Sequence, residues 1–347
     1  MMEPNKYLEE KIKTCVQTEI RTVDREFLNS QGMEEYIYRM LTSKNFRKWK
    51  IVDNYIEEIK KSIKYAVSKN EPLELTWFFG GYKLWRISSS PYVDWAELFS
   101  IIYLVNYASS VATVYDPGVK IIFWAAHPSV MKYQSNIPEE DCLNYRESFN
   151  MLLNIIRPSL PNNITVELKS FEILYPNPKE YLEELNRMIL EVEREYKKGW
   201  TVERKDRKNA SSVLNIQWQG AENWRDLSAA EKEEKIRRGP IIHDGYCRLS
   251  KIGQVIRGLG KIDLTATPIP NGSIAVGCTS SSVTKFWTGF GVLEKRGDGY
   301  VERILSPKQL DSIKGRPHDI IKSKIIPLKN FEEILVFHDT IDFSKNK

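Results

Sequence analysis

Apolar positions recur at helical intervals through the first seventy residues. Tyr55, Ile56, Ile59, Ile63 and Val67 share one face of a helix predicted over 52–67, with Lys60, Lys61 and Lys64 on the opposite, solvated side. The same period marks 35–49. Residues 73–79 then form a short, very apolar run that reads as the first strand. The segment 95–108 is apolar nearly all round, as expected of a helix packed between a sheet and another layer. After the turn Asp116-Pro117-Gly118, residues 119–125 have the length and composition of a strand buried on both faces.

Further along, 142–156 reads as an amphipathic helix, 164–168 as a short strand and 176–196 as a long glutamate-rich helix starting near Pro178. From 197 to 209 the chain is densely charged, which marks 197–212 as a linker and a candidate lobe boundary. The charged helix 229–238 runs into Gly239-Pro240, and strands predominate afterwards at 261–265, 273–278, 287–293 and 300–304. Arg296-Gly297-Asp298-Gly299 is a hairpin signal between the last two. Early alternation and late strands define an α/β fold with a mixed sheet, in which 1–70 forms a helical segment and 71–347 the α/β domain.

Composition changes this picture little. An apolar content of 41% and a charged content of 28% are ordinary for a globular protein, and 347 residues suffice for a large core. The net charge of +5 arises from interleaved acids and bases, which fits an anionic small substrate and argues against a nucleic-acid partner. No run is long enough for a membrane span and the first residues lack a signal-peptide core, so a cytoplasmic location is expected. The isolated cysteines 15, 142, 247 and 278 suit a reducing compartment.

Candidate chemistry concentrates between the first strand and the helix that follows it. Lys83, Arg86, Ser88, Ser89 and Ser90 precede Pro91, and Ser90-Pro91 reads as an N-cap with proline at the first helical position. Such a helix tip with cations beside it suits a phosphate or carboxylate; an ordinary capped helix after a polar loop carries the same residues. Asp94 and Glu97 stand three apart, either as partners of the helix dipole or as a general base and an acceptor for a substrate ammonium. His127 closes the strand 119–125, where open α/β sheets bind ligands.

Other signals are weaker in chemistry. His243-Asp244, His318-Asp319 and His338-Asp339 invite a metal reading, but adjacent strand residues point to opposite faces, and no metal site is assigned. Gly253, Gly258 and Gly260 lack the spacing of a nucleotide loop. The hydroxyl-rich 279–284, followed by Lys285, suits either a second anion contact or a tight turn into a packed strand. A nucleophile elbow is missing, which disfavours hydrolase chemistry of that type.

The order of these segments resembles the isocyanide (isonitrile) synthase family, known also from pyoverdine and dityrosine biosynthesis. In that family a lysine-bearing loop leads to a Pro-Asp-x-Ala-Glu helix, a Tyr-x-Pro-Gly turn and a buried strand. The matches here are Lys83, Pro91-Tyr92-Val93-Asp94-Trp95-Ala96-Glu97 with extra spacing before the aspartate, Tyr115-Asp116-Pro117-Gly118 and the strand 119–123. Arg237, Arg238 and Arg248 lie where the family carries arginines. The chain departs at Ala125-Ala126-His127-Pro128, in place of Ser-Asp-Gly, and at Ala266-Thr267 and Thr288, where the family has histidines.

The resemblance spans roughly 70–305. It implies a Rossmann-like enzyme, without a cofactor, that condenses an amino acid with a phosphorylated ketose so that the nitrogen ends as an isocyanide. Lys83, Asp94, Glu97 and His127 would then carry the chemistry. Arg86, Ser88, Ser89, Ser90, Tyr115, Arg248 and Lys285 would bind substrate. A metal-dependent enzyme using the His-Asp pairs and a non-catalytic binding relative are the alternatives.

Overall fold

The computed structural model describes residues 2–83, 91–135, 137–200, 227–256, 258–266, 273–313 and 315–341. Four helices open the chain: α1 (Pro4–Lys13), α2 (Thr22–Gln31), α3 (Met33–Leu41) and α4 (Asp53–Lys69). In α4 the buried stripe is Tyr55, Ile59, Ser62, Ile63 and Ala66, close to the periodicity in the sequence. These helices share one continuous hydrophobic core with the sheet that follows.

That sheet contains β1 (Leu73–Phe79), β2 (Val119–Ala125), β3 (Ile164–Ser170), β4 (Lys261–Thr265) and β5 (Ile274–Ala275). It has five strands in the order β3-β2-β1-β4-β5, and every pairing is parallel. Between strands lie α5 (Trp95–Ala112), α6 (Pro128–Ser135), α7 (Glu139–Ile156), α8 (Pro178–Gly199), α9 (Ala229–Cys247) and α10 (Ser250–Ile256). This is the expected α/β, Rossmann-like architecture.

Mixed strand directions belong to a second, four-stranded sheet. It is formed by β6 (Phe290–Arg296), β7 (Gly299–Leu305), β8 (His318–Lys322) and β9 (Glu333–Phe337), with α11 (Pro307–Ile313) between β7 and β8. The hairpin at 296–299 joins β6 to β7 in antiparallel register, as its turn signal predicts. Gly291 lets β6 lie directly on the start of α5, since a Cβ there would come within 2.5 Å of the Trp95 backbone.

Several predicted boundaries move. The helix expected over 35–49 ends at Leu41, the strand expected over 273–278 shortens to Ile274–Ala275, and the one expected over 287–293 begins at Phe290. Helix α5 begins at Trp95 rather than Pro91, because Asp94 and Glu97 form a capping box: Asp94 accepts from the Ala96 N–H, and Glu97 accepts from the Asp94 N–H. Helix α9 does not stop at Gly239-Pro240 but continues to Cys247. An interior proline costs a helix about 3 kcal/mol. Burial of Ile241, Ile242 and Tyr246 beyond it offsets that cost.

In the predicted linker, Lys197, Lys198 and Gly199 belong to the last turn of α8 and Trp200 is buried; residues 201–212 lie outside the described residues. Among the described residues, no helix is long and apolar enough to cross a membrane.

Candidate active site

The strand order reverses direction at β1. From there the chain proceeds outward to β2 and β3, then returns to the other side of β1 for β4 and β5. Ligands of open α/β sheets bind at the carboxyl ends of the strands flanking such a switch. The segment leaving β1 therefore occupies the informative place, and Lys83, Asp94 and Glu97 meet there.

The Lys83 ammonium lies 2.9 Å from both carboxylate oxygens of Glu97, 3.0 Å from Asp94 Oδ2 and 3.0 Å from the Phe286 carbonyl oxygen. Its donors are thus taken by the protein, and the amine points inward rather than towards a phosphate. Tyr145 on α7 donates to Glu97 Oε1 at 2.9 Å. All four side chains are buried.

One cation among two carboxylates leaves an excess of negative charge in a dry site. Burial pushes the Glu97 carboxyl upward, Lys83 opposes this, Asp94 adds to it, and the result is about 8. Lys83 is pulled down by burial, yet the two carboxylates outweigh that and raise it, so its charge is kept. Burial and Glu97 together drive the Tyr145 phenol well above its usual value. The cluster keeps the charge of Lys83 and holds a proton on Glu97 up to about pH 8.

Beyond β2 and β3 lies a second polar group. Arg146, adjacent to Tyr145 on α7, donates to the Ala126 carbonyl, to Ser170 Oγ at 2.9 Å and to Glu172. It thereby ties together the carboxyl ends of β2 and β3. Gly81, at φ 69°, permits the close approach of the β1 exit to β2, where a Cβ would meet the Ala125 methyl at 2.7 Å.

His127 is buried and stacks on Tyr181, with ring centroids 3.9 Å apart. Its Nδ1 accepts from the Ser129 N–H at 3.2 Å, which leaves Nε2 to carry the proton of the neutral ring. Burial is the main cause that lowers this histidine to about 4.

Other sequence candidates are dispersed. Tyr115 sits at the opposite, amino edge of the sheet, where its hydroxyl donates to the Glu71 carbonyl at 2.7 Å, because α5 carries the chain back across the sheet before β2. Arg248 caps the end of α9 and forms a two-pronged pair with Glu195 of α8, at 2.6 and 2.8 Å. The Lys285 amine stands over the Trp287 ring at 5.5 Å and is lowered by burial; its neighbour Phe286 supplies the carbonyl that Lys83 bonds. Arg86, Ser88, Ser89 and Ser90 lie outside the described residues.

His338 and Asp319 do meet, at 3.0 Å across β8 and β9. Among the described residues, however, no group of three His, Cys, Asp or Glu side chains could hold a metal ion. Sequence reasoning missed Tyr145 and Arg146. An arginine on the buried stripe of an otherwise ordinary amphipathic helix was the available signal.

Beside Tyr92, just ahead of Asp94, opens a cavity of about 230 Å³ that Glu147, Ser148 and Lys329 help to line. Ser148 Oγ accepts from the Val93 N–H at 3.1 Å and so fixes this entry to α7.

A parallel sheet with titratable side chains gathered at its switch point places the protein in the Rossmann-like α/β class. No family model matches the chain, and no curated protein matches it. Among solved structures it is similar to the PvcA protein from Pseudomonas aeruginosa, with a TM-score of 0.61 and 13% identity, over 88% of this chain and 100% of that one. At that identity the likeness shows a distant relationship of fold.

Proposed function

We propose that this protein is an isocyanide-synthase-like enzyme that condenses the amino group of an amino acid with the ketone of a phosphorylated ketose. The observation that carries this reading is the Lys83–Asp94–Glu97–Tyr145 network at the carboxyl end of β1. The substrates come from the sequence resemblance, and the Rossmann-like fold agrees with what that resemblance implies.

Condensation requires a base to take a proton from the substrate ammonium and an acid to return one to the carbonyl oxygen as water leaves. A carboxyl raised to about 8, as Glu97 is, exchanges a proton near neutrality, and Asp94 is the member nearer to solvent. Lys83 positions both carboxylates. Glu147 and Lys329, of opposite charge at the cavity beside Tyr92, suit the ammonium and carboxylate of an amino acid.

Mass spectrometry of the purified protein incubated with amino acids and ribulose 5-phosphate tests the reading. A condensation product or isocyanide is expected, and Glu97→Gln should slow its formation by about 100-fold or more. Absence of product with every amino acid from a folded preparation would sink the proposal. The sealing of Lys83 and Glu97 favours a second reading, a non-catalytic binding relative in which the network is structural. Ligand binding without turnover distinguishes it.

A further inference from the structure

The hydroxyl-rich segment 279–284 lies against the β6–β7 hairpin, far in sequence from Lys83. Between them is a cavity of about 460 Å³, lined among others by Ser281, Ser282, Thr284, Arg296, Arg303 and Gln309. This volume is within the range of about 300–1,000 Å³ typical of small-molecule sites. Its lining shares no residue with the Lys83 network.

Glu294 is fully buried behind this cavity, on the same face of β6 as Arg296 and diagonal to Arg303 of β7. Arg296 gives its Nε–H to Glu294 Oε1 at 2.5 Å, and Arg303 gives its Nε–H to Oε2 at 2.9 Å. Arg303 also donates from Nη1 to the Ser281 carbonyl at 3.1 Å. The Ile341 N–H completes the carboxylate at 3.0 Å. Among the described residues, both Nη groups of Arg296 and the Nη2 of Arg303 have no partner.

One buried carboxylate thus holds two guanidinium planes in place and leaves a net positive charge at the cavity wall. Preorganised, unspent N–H donors beside small hydroxyls match an oxyanion. No carboxylate lines the cavity to repel one. The number of free donors suits a tetrahedral dianion better than a planar carboxylate.

We infer that this cavity between the 281–284 segment and the β6–β7 hairpin is a binding site for a small phosphomonoester. Binding there does not depend on the condensation reading above.

Titration calorimetry at fixed ionic strength, with glycerol phosphate, inorganic phosphate and acetate as probes, tests the assignment. Glycerol phosphate should bind, and acetate should bind at least about tenfold more weakly. Arg296→Gln, at a half-exposed side chain, should weaken glycerol phosphate about tenfold or more while the protein stays folded, because Arg303 and the Ile341 N–H still bond Glu294. Glu97→Gln should leave this binding as it is, whatever it does to turnover. No heat from glycerol phosphate, equal binding of acetate, indifference to Arg296→Gln, or loss on Glu97→Gln would each overturn the site.

Discussion

Two charged clusters in this molecule are mirror images in sign. At the parallel sheet, one cation (Lys83) is held by two carboxylates (Asp94 and Glu97) in a sealed interior. At the mixed sheet, one buried carboxylate (Glu294) holds two cations (Arg296 and Arg303) at the wall of an open cavity. The first has no donor to spare for a ligand and stores its imbalance as a raised carboxyl. The second satisfies its carboxylate and faces its unspent N–H groups outward. Burial therefore decides whether a triad of charges becomes a proton reservoir or an anion receptor.

The largest test of this contrast is Lys83→Met. It leaves two carboxylates buried without a cation, and unpairing a buried ion costs about 3–5 kcal/mol. Urea unfolding should show a loss of that order, whereas a loss below about 1 kcal/mol would mean that the network is not sealed.

Next in size is the pH response. Glu97 is raised from 4.5 to about 8, so the folded state holds a proton that the unfolded chain releases. Its contribution is complete below pH 4.5 and is lost as pH climbs towards 8. Glu294 runs the other way: burial pushes it up, but hydrogen bonds from Arg303, Arg296 and the Ile341 N–H hold it below the usual value. Its contribution is lost as acid is added. His127, lowered to about 4, likewise loses stability as pH falls from 6.5. Unfolding at pH 5 and pH 8 should show the wild type weakening with rising pH relative to Glu97→Gln. Parallel curves would remove the proton reservoir.

The smallest effect is expected at Arg248→Ala. Its two-pronged pair with Glu195 is partly exposed, and such pairs contribute about 0–1 kcal/mol. A thermal shift larger than that would give the α8–α9 contact a role comparable to the buried clusters.

Much of the architecture was legible from local pattern. The strands 73–79 and 119–125 are buried, largely apolar runs, and the hairpin at 296–299 announces itself by its glycines. The pair Asp94 and Glu97 was visible as carboxylates one helical turn apart, though the competing Ser90-Pro91 signal drew the helix start forward. Local capping rules cannot choose between two valid caps. The choice falls to distant contacts: Lys83 gathers both carboxylates, and Ser148 of α7 takes the Val93 N–H.

Tyr115 and Arg248 show the same limit. Nothing within a few residues of either reveals that one lies at the amino edge of the sheet and the other pairs with Glu195 on α8.

By itself, the sequence determined which segments of the parallel sheet and its helices form, though not where each one ends, because spacing of apolar groups and turn chemistry act over a handful of neighbours. It also determined which ionisable groups were available. Only the tertiary structure decided which of them meet and which are sealed from water. Those outcomes depend on the strand order around β1 and on the second sheet seated against α5, and the electrostatics of each cluster follow from that burial.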